Sequence, residues 1–440
     1  MKTFALIISL SITISSFTQN IDKSNRSTDQ VKSLMQSYRY PEAIDLANKF
    51  LADTVSSGML LIKGQSLAAL FRYKEAVKTL QAAHHIDSLN IDALNALVNV
   101  YRQTGETDSA IIINKEICRQ NPDNLFFVFQ LANLYYSNKD FIQAKQLLRP
   151  LYQKDTASIY LVRQLALSYE EIKPYDSAEY FYQLALKMAP DDPFMVSRLA
   201  NLLIREERVN EAYGITYKFL KTNPKHTGIL KINAYCNYLI HDYESASRQL
   251  RKCISLGDSS KFTRKYLALS YYNQEKFDSA APCFISLYNS DTTDYESCFY
   301  FGVSKSRLNS FDTGINFLNR TLIIESPASK FLSSIFAELA ADYSNTNRPD
   351  TALSLLKMAL QLDPGNSYLQ FKIACQYDYY LHKPYKALPY YREFLKNAPP
   401  HAEDSDKRYR ITPVKNGIPE IKGSCNDYAK KRIIQIVGTK

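Results

Sequence analysis

The sequence predicts an all-α protein, a solenoid of about eleven helix-turn-helix units. Three observations carry that expectation. One alanine recurs every 34 residues, at Ala76, Ala110, Ala144, Ala178, Ala212, Ala246 and Ala280, and Gly314 takes the next place. Twelve residues before each stands a residue that is nearly always small, namely Gly64, Val98, Ala132, Ala166, Ala200, Ala234, Ala268 and Gly302, as where two helices meet closely. Finally, 440 residues with 45% apolar side chains, 12 glycines and 17 prolines can fill a large core. They lack the turn chemistry of a large all-β or nucleotide-binding protein.

Within a unit the first helix carries a bulky residue nine places before the alanine: Leu67, Tyr101, Tyr135, Tyr169, Leu203 and Tyr271. Pro122, Pro190 and Pro224 fall twelve places after it and end the second helix. The beat continues to Ala340, Tyr343, Ala352, Ala359 and Pro364, then to Ala374, Tyr377 and Ala387, while Ala43 marks a degenerate first unit. Residues 31–400 are therefore read as one array, with the insertion between Ser326 and Ser333 marking a bend. Asn237 and Lys305 replace the tyrosine and Gly314 the alanine, which predicts looser packing around them. A single helix pair cannot bury its apolar face alone, so neighbouring pairs must stack.

Three strings are close copies of one pattern: Leu131-Ala132-Asn133-Leu134-Tyr135 with Asp140-Phe141-Ile142-Gln143-Ala144, Leu165-Ala166-Leu167-Ser168-Tyr169 with Tyr175-Asp176-Ser177-Ala178, and Leu267-Ala268-Leu269-Ser270-Tyr271 with Phe277-Asp278-Ser279-Ala280. The pattern resembles the tetratricopeptide repeat (TPR), whose period is about 34 residues. Leu94, Val128, Val162, Val196 and Leu230 stand where that family often has tryptophan. The resemblance implies a right-handed superhelix, of a bacterial type of exported protein here, whose first helices line a concave groove that holds a protein or peptide partner.

Residues 1–18 read as a signal peptide: Lys2 precedes the uncharged run from Phe4 to Phe17, which is too short to span a bilayer, and Thr18 is the expected cleavage point. Export to the periplasm or the extracellular space follows as the expectation, with no transmembrane anchor after cleavage. Residues 19–30 are a short linker, and 401–440 a basic C-terminal tail or capping segment with Lys430, Lys431 and Arg432. The net charge of +10 is dispersed, and no nucleic-acid-binding module is present, so a nucleic-acid partner is not expected. Seven irregularly spaced cysteines without a Cys-x-x-Cys pair read mainly as small buried side chains, although export would permit a bridge.

No catalytic residues, metal site or cofactor are expected, and the chain is read as no enzyme. His84, His85, His226, His241, His382 and His401 are scattered, and the sequence has no His-Glu-x-x-His, phosphate loop, Gly-x-Gly-x-x-Gly or Gly-x-Ser-x-Gly. The family's groove positions instead fall on Asn95, Asn99, Gln130, Asn133, Arg163, Gln164, Arg198 and Asn201, with Phe129 among them. Asn133, Gln164 and Arg198 resemble the clamp with which chaperone-tail-binding members hold a peptide main chain and a carboxylate. Further along, the same face turns aromatic, with Tyr235, Tyr238, Phe262, Tyr266, Tyr272, Phe299, Tyr300, Tyr368 and Phe371 beside Lys231, Lys265 and Lys372. Tyr266, Tyr272 and Tyr300 leave a carbohydrate-binding accessory protein as the alternative, because sugar rings stack on tyrosine, and a helper of outer-membrane assembly or secretion docked through the basic tail as another.

Overall fold

The computed structural model describes residues 28–173, 175–324, 329–398 and 424–438. The expected signal peptide, most of the linker, much of the C-terminal tail and part of the expected bend lie outside them. Among the described residues there are helices and no strands. The chain divides into two compact units, Met1–Leu202 and Leu203–Lys440.

In the first unit, helices pair in chain order: 28–36 with Tyr40–Asp53, Ser57–Ala69 with Tyr73–Ile86, Ile91–Thr104 with Thr107–Gln120, Leu125–Ser137 with Phe141–Lys154, and Ile159–Ile172 with Asp176–Met188. Helix Pro193–Arg205 runs through the unit boundary. The recurring alanines explain the pairing, because Ala43, Ala76, Ala110, Ala144 and Ala178 are fully buried. Their small partners set how closely the helices approach: a Cβ on Gly64 would lie 2.6 Å from the side chain of Leu80.

The turn between the helices of a pair has a feature the sequence hid. Five residues before each marker alanine, the chain adopts a left-handed conformation, and in the first unit this residue is Tyr38, Phe71, Gly105, Lys139 or Lys173, with φ from 52° to 80°. Glycine is the usual choice there. Only Gly105 follows that rule, so in the other four pairs the turn is imposed by the packing of both helices and accepted at a local cost of about 1 kcal/mol each.

The second unit pairs Thr227–Leu239 with Tyr243–Ser255, Lys261–Asn273 with Phe277–Ser290, Tyr295–Arg307 with Phe311–Ile324, Ser329–Asn345 with Pro349–Leu362, and Ser367–Cys375 with Pro384–Asn397. Helix Val209–Thr222 precedes them. Side chains cap many of these helices, as where Asp242 accepts from the Ser245 amide and Asp294 from the Ser297 amide. The positions expected to be loose are instead filled. Asn237 is buried and donates to Gln249, and Lys305 lies over the Phe301 ring. Gly314 is buried beside a polar pair: a Cβ there would lie 2.1 Å from Ser306 Oγ and 2.8 Å from Asp342 Oδ2. The missing methyl makes room for that pair.

At the end of this unit one extra residue is absorbed by a π-helical turn, Gln376–Tyr380, which continues helix Ser367–Cys375. The last helix, Cys425–Gly438, packs on Pro384–Asn397 and buries Cys425, Ala429 and Ile436 in a cluster with Phe371, Tyr391 and Phe394. Arg432 places Nε 2.7 Å and Nη2 2.9 Å from the two oxygens of Asp378, whose side chain is fully buried. Thus the segment read as tail or cap contains a helix that covers the last pair.

Candidate functional site

First helices present one face to their own second helix and another outward, and the outward face of each unit has its own character. In the first unit it is aromatic at one edge and amidic along the middle. Phe126, Tyr160 and Phe194 stand 34 residues apart near the start of successive first helices and are exposed by 61%, 69% and 45%. Large aromatic side chains left in water at a fixed interval form a stripe, which is the informative kind of exposure.

Beside that stripe, Gln130 Nε2 donates to Asn95 Oδ1 at 3.1 Å, which ties two successive first helices together. Asn99 and Asn201 are exposed, and Gln164 is half-buried. Gln130 Oε1 and Asn133 Oδ1 are shielded from solvent and accept no hydrogen bond among the described residues. Arg163 lies over the Phe194 ring at 5.8 Å, with Nη1 3.6 Å from Asp192. It remains partly exposed.

Arg198 is placed differently from the other clamp-like residues. Its Nη2 lies 2.7 Å and its Nε 3.0 Å from Glu170 Oε2, and the Tyr182 hydroxyl donates to the same oxygen. Glu170 is 5% exposed and Tyr182 fully buried. Burial, together with the Glu170 carboxylate, pushes the Tyr182 hydroxyl well above the usual phenol range. Asn133 and Gln164 are half-buried, while Arg198 serves an internal ion pair.

In the second unit the outward face is built of tyrosines packed on one another. Tyr266 meets Phe262, Tyr235 and Tyr238 at centroid distances of 4.5, 4.7 and 5.1 Å. Tyr272 meets Tyr300 at 4.9 Å, and Tyr300 stacks on Phe284 at 5.2 Å. Lys231 pairs with Asp258 at 3.1 Å, and Lys265 pairs with Glu296.

Beyond these tyrosines lies a charged group that sequence reasoning caught only in part. Arg307 Nη2 is 3.0 Å from Glu338 Oε1 and 2.9 Å from Oε2. One turn further along the same helix, Asp342 Oδ2 accepts from Ser306 Oγ at 2.5 Å. Lys372 lies over the Tyr368 ring at 5.2 Å. Desolvation would raise the Glu338 carboxyl, but the Arg307 guanidinium prevails and holds it below the usual range. Burial dominates at Asp342 and pushes its carboxyl up to about 7. Among the candidates, only Tyr272, Tyr300, Tyr368 and Lys372 had marked this region. Arg307 and Glu338 stand 31 residues apart, off the 34-residue beat, so the period gave no signal for them.

Among the described residues no cluster of three His, Cys, Asp or Glu side chains could hold a metal ion, and no helix is long and apolar enough to cross a membrane. The pairing of helices at a 34-residue period, closed by buried alanines, gives the described residues the architecture of a tetratricopeptide-repeat-like α solenoid. No family model and no curated protein matches it. Among solved structures, the C-terminal part of a TPR repeat-containing protein from Cytophaga hutchinsonii is 15% identical, covers 55% of this chain and 97% of its own, and has a TM-score of 0.45. The APC/C hetero-tetramer Cut9–Hcn1 is 14% identical over 92% of this chain and 83% of that one, with a TM-score of 0.43. A tetratricopeptide repeat protein from Parabacteroides merdae is 16% identical over 56% and 98%, with a TM-score of 0.41.

Proposed function

We propose that this solenoid is a non-enzymatic scaffold that holds an extended segment of a partner polypeptide along its first helices, in the cell envelope. The observation that carries this reading is the exposed stripe of Phe126, Tyr160 and Phe194 beside the amide side chains of Asn99, Gln164 and Asn201, which keep surface in water. An extended chain has both parts the face can use: apolar side chains for the rings and main-chain amides for the side-chain oxygens. The envelope location rests on the N-terminal apolar run. A glycan is less well served, because the tyrosines of the second unit pack against one another and give up the flat faces on which a sugar would lie.

The test is affinity capture from envelope extract of the source cells with the chain, with the triple variant Phe126→Ser, Tyr160→Ser and Phe194→Ser, and with Ile142→Ser as an exposed second-helix control. A polypeptide captured by the chain and the control but lost by the triple variant supports the reading. Equal capture by all three overturns it.

A further inference from the structure

The positive charge is less dispersed than the short basic runs of the sequence suggest. Residues 217–265 hold ten Lys and Arg against three Asp and Glu, which accounts for most of the chain's net charge of +10. Five of the ten, Lys218, Lys221, Lys225, Arg251 and Lys252, are exposed on the second helices Val209–Thr222 and Tyr243–Ser255 or in the turn that follows the former. Lys218 and Lys252 stand 34 residues apart, as do Tyr217 and Arg251, so both helices present them at one register. A buried amide ties the two helices together. Asn233 donates to Thr216 Oγ1 at 2.8 Å, and its oxygen accepts from Gln249 Nε2 at 2.8 Å.

These five cations have no carboxylate partner among the described residues, because the acidic side chains of the same stretch are engaged elsewhere. Glu244 pairs with Arg248 at 3.0 Å, Asp258 with Lys231 at 3.1 Å, and Asp242 caps the Ser245 amide. Apolar side chains stand among the cations. Tyr217 is 47% exposed, and Ile254 and Leu256, close in sequence to Arg251 and Lys252, are 41% and 38% exposed. The Tyr217 ring is engaged by Tyr213 at 5.6 Å and by Lys221 at 5.1 Å, which leaves little flat face on which a nucleobase could stack. The next second helix, Phe277–Ser290, has no Lys or Arg and places the exposed Ser286 at the register of Lys218 and Lys252, so the patch ends there.

We infer that this surface docks on an anionic lipid bilayer, with the five cations against headgroup phosphates and Tyr217, Ile254 and Leu256 in the boundary between headgroups and acyl chains. Negative charge and apolar depth occur together at that boundary, and cations interleaved with a tyrosine and aliphatic side chains match both. A bilayer also meets side chains that stand out from two helices and a turn at once, with no groove needed to seat it. The inference goes beyond the scaffold reading, whose aromatic stripe lies on first helices of the other unit.

The experiment exploits the absence of tryptophan from the chain. Tyr217→Trp puts the sole indole in the patch, and Ile142→Trp puts it on an exposed second-helix position of the first unit. Each full chain is mixed with phosphatidylcholine vesicles made with or without phosphatidylglycerol, and emission and co-sedimentation are read. With the anionic vesicles the Tyr217→Trp emission shifts to the blue and is quenched by brominated acyl chains, while Ile142→Trp does not respond. Lys218→Gln with Lys252→Gln lowers co-sedimentation with anionic vesicles about 25-fold, each cation contributing about fivefold. Lys430→Gln with Lys431→Gln, an equal change of charge on the exposed side of the last helix, leaves it nearly unchanged, because screened charges act only near the surface they touch. The neutral vesicles measure whatever hold the N-terminal apolar run has by itself. Equal losses in the two double variants, or a Tyr217→Trp emission that stays unshifted on anionic vesicles, overturn the site. A Tyr217→Trp shift as large with polyglutamate as with lipid overturns the lipid assignment in favour of an acidic polypeptide. The scaffold reading stands or falls separately, on capture through Phe126, Tyr160 and Phe194.

Discussion

Replacing Gly314 by alanine restores the residue found at seven earlier steps of the repeat, and helix propensity alone predicts a gain of about 1 kcal/mol from it. The structure predicts the opposite sign. The new methyl would sit 2.1 Å from Ser306 Oγ, 2.8 Å from Asp342 Oδ2 and 3.2 Å from the Gly302 carbonyl oxygen, all in a buried layer. Two of these atoms cannot withdraw freely, since one is backbone and another belongs to a hydrogen-bonded carboxyl. Overpacking of this kind costs about 1–3 kcal/mol, and breaking the Ser306–Asp342 hydrogen bond adds about 1–3 kcal/mol for the stranded group. After the propensity gain, Gly314→Ala is expected to destabilise the second unit by about 1–5 kcal/mol. Urea unfolding followed by circular dichroism, with hydrogen exchange in Phe311–Ile324, measures it. The triple variant Ser306→Ala, Asp342→Ala and Gly314→Ala removes the obstruction and the polar pair together, and should recover to within about 1 kcal/mol of the parent. A neutral or stabilising Gly314→Ala, or a triple variant worse than the single one, would refute the reasoning.

Asp342 also predicts a pH dependence. Its carboxyl is raised from 3.8 to about 7 in the fold, so the native state binds a proton that the unfolded chain releases first. The resulting stabilisation is complete below about pH 4, declines as pH rises, and is lost through pH 7; its upper bound is about 4 kcal/mol. Asp342→Asn should flatten that decline in denaturation series between these pH values. Arg432→Ala leaves the buried Asp378 carboxylate without its cation, which should cost about 3–5 kcal/mol locally and speed proteolysis at the start of helix Cys425–Gly438, while Lys430→Ala, an exposed neighbour, should not. Arg198→Ala should destabilise the first unit by removing the cation beside the buried Glu170, whereas Arg163→Ala, weakly paired to Asp192, should change thermal stability little. Glu275→Gly, at a left-handed turn residue with φ 61°, should stabilise by about 0.5–1 kcal/mol in the same unfolding assay.

The repeat could be read from the sequence because it is made of local events repeated at one interval. An alanine that closes a helix pair leaves the same mark each time, and the buried series from Ala76 to Ala280 is that mark seen in three dimensions. Part of the outward surface was legible for a related reason, since Asn99 and Asn133 keep the 34-residue register on successive first helices, and nearby Gln130 bonds Asn95 across the same two helices. Exposure was not. Phe126 and Tyr160 carry no mark in the sequence, and only their surroundings in the fold leave them in water.

Other features depend on partners that the period does not connect. Arg198 looked like a clamp residue, and whether it faced a ligand was decided by Glu170 and Tyr182, which lie 28 and 16 residues away. Gly314 read as a defect until Ser306 and Asp342 filled its space. Arg432 read as part of a basic run, yet it closes on Asp378 across 54 residues. Periodicity determines which helices pair and which faces they bury, because those are sums of short-range, equivalent contacts. Charge pairing in the interior depends on the individual atoms that share a low-dielectric space, and only the tertiary structure brings those together.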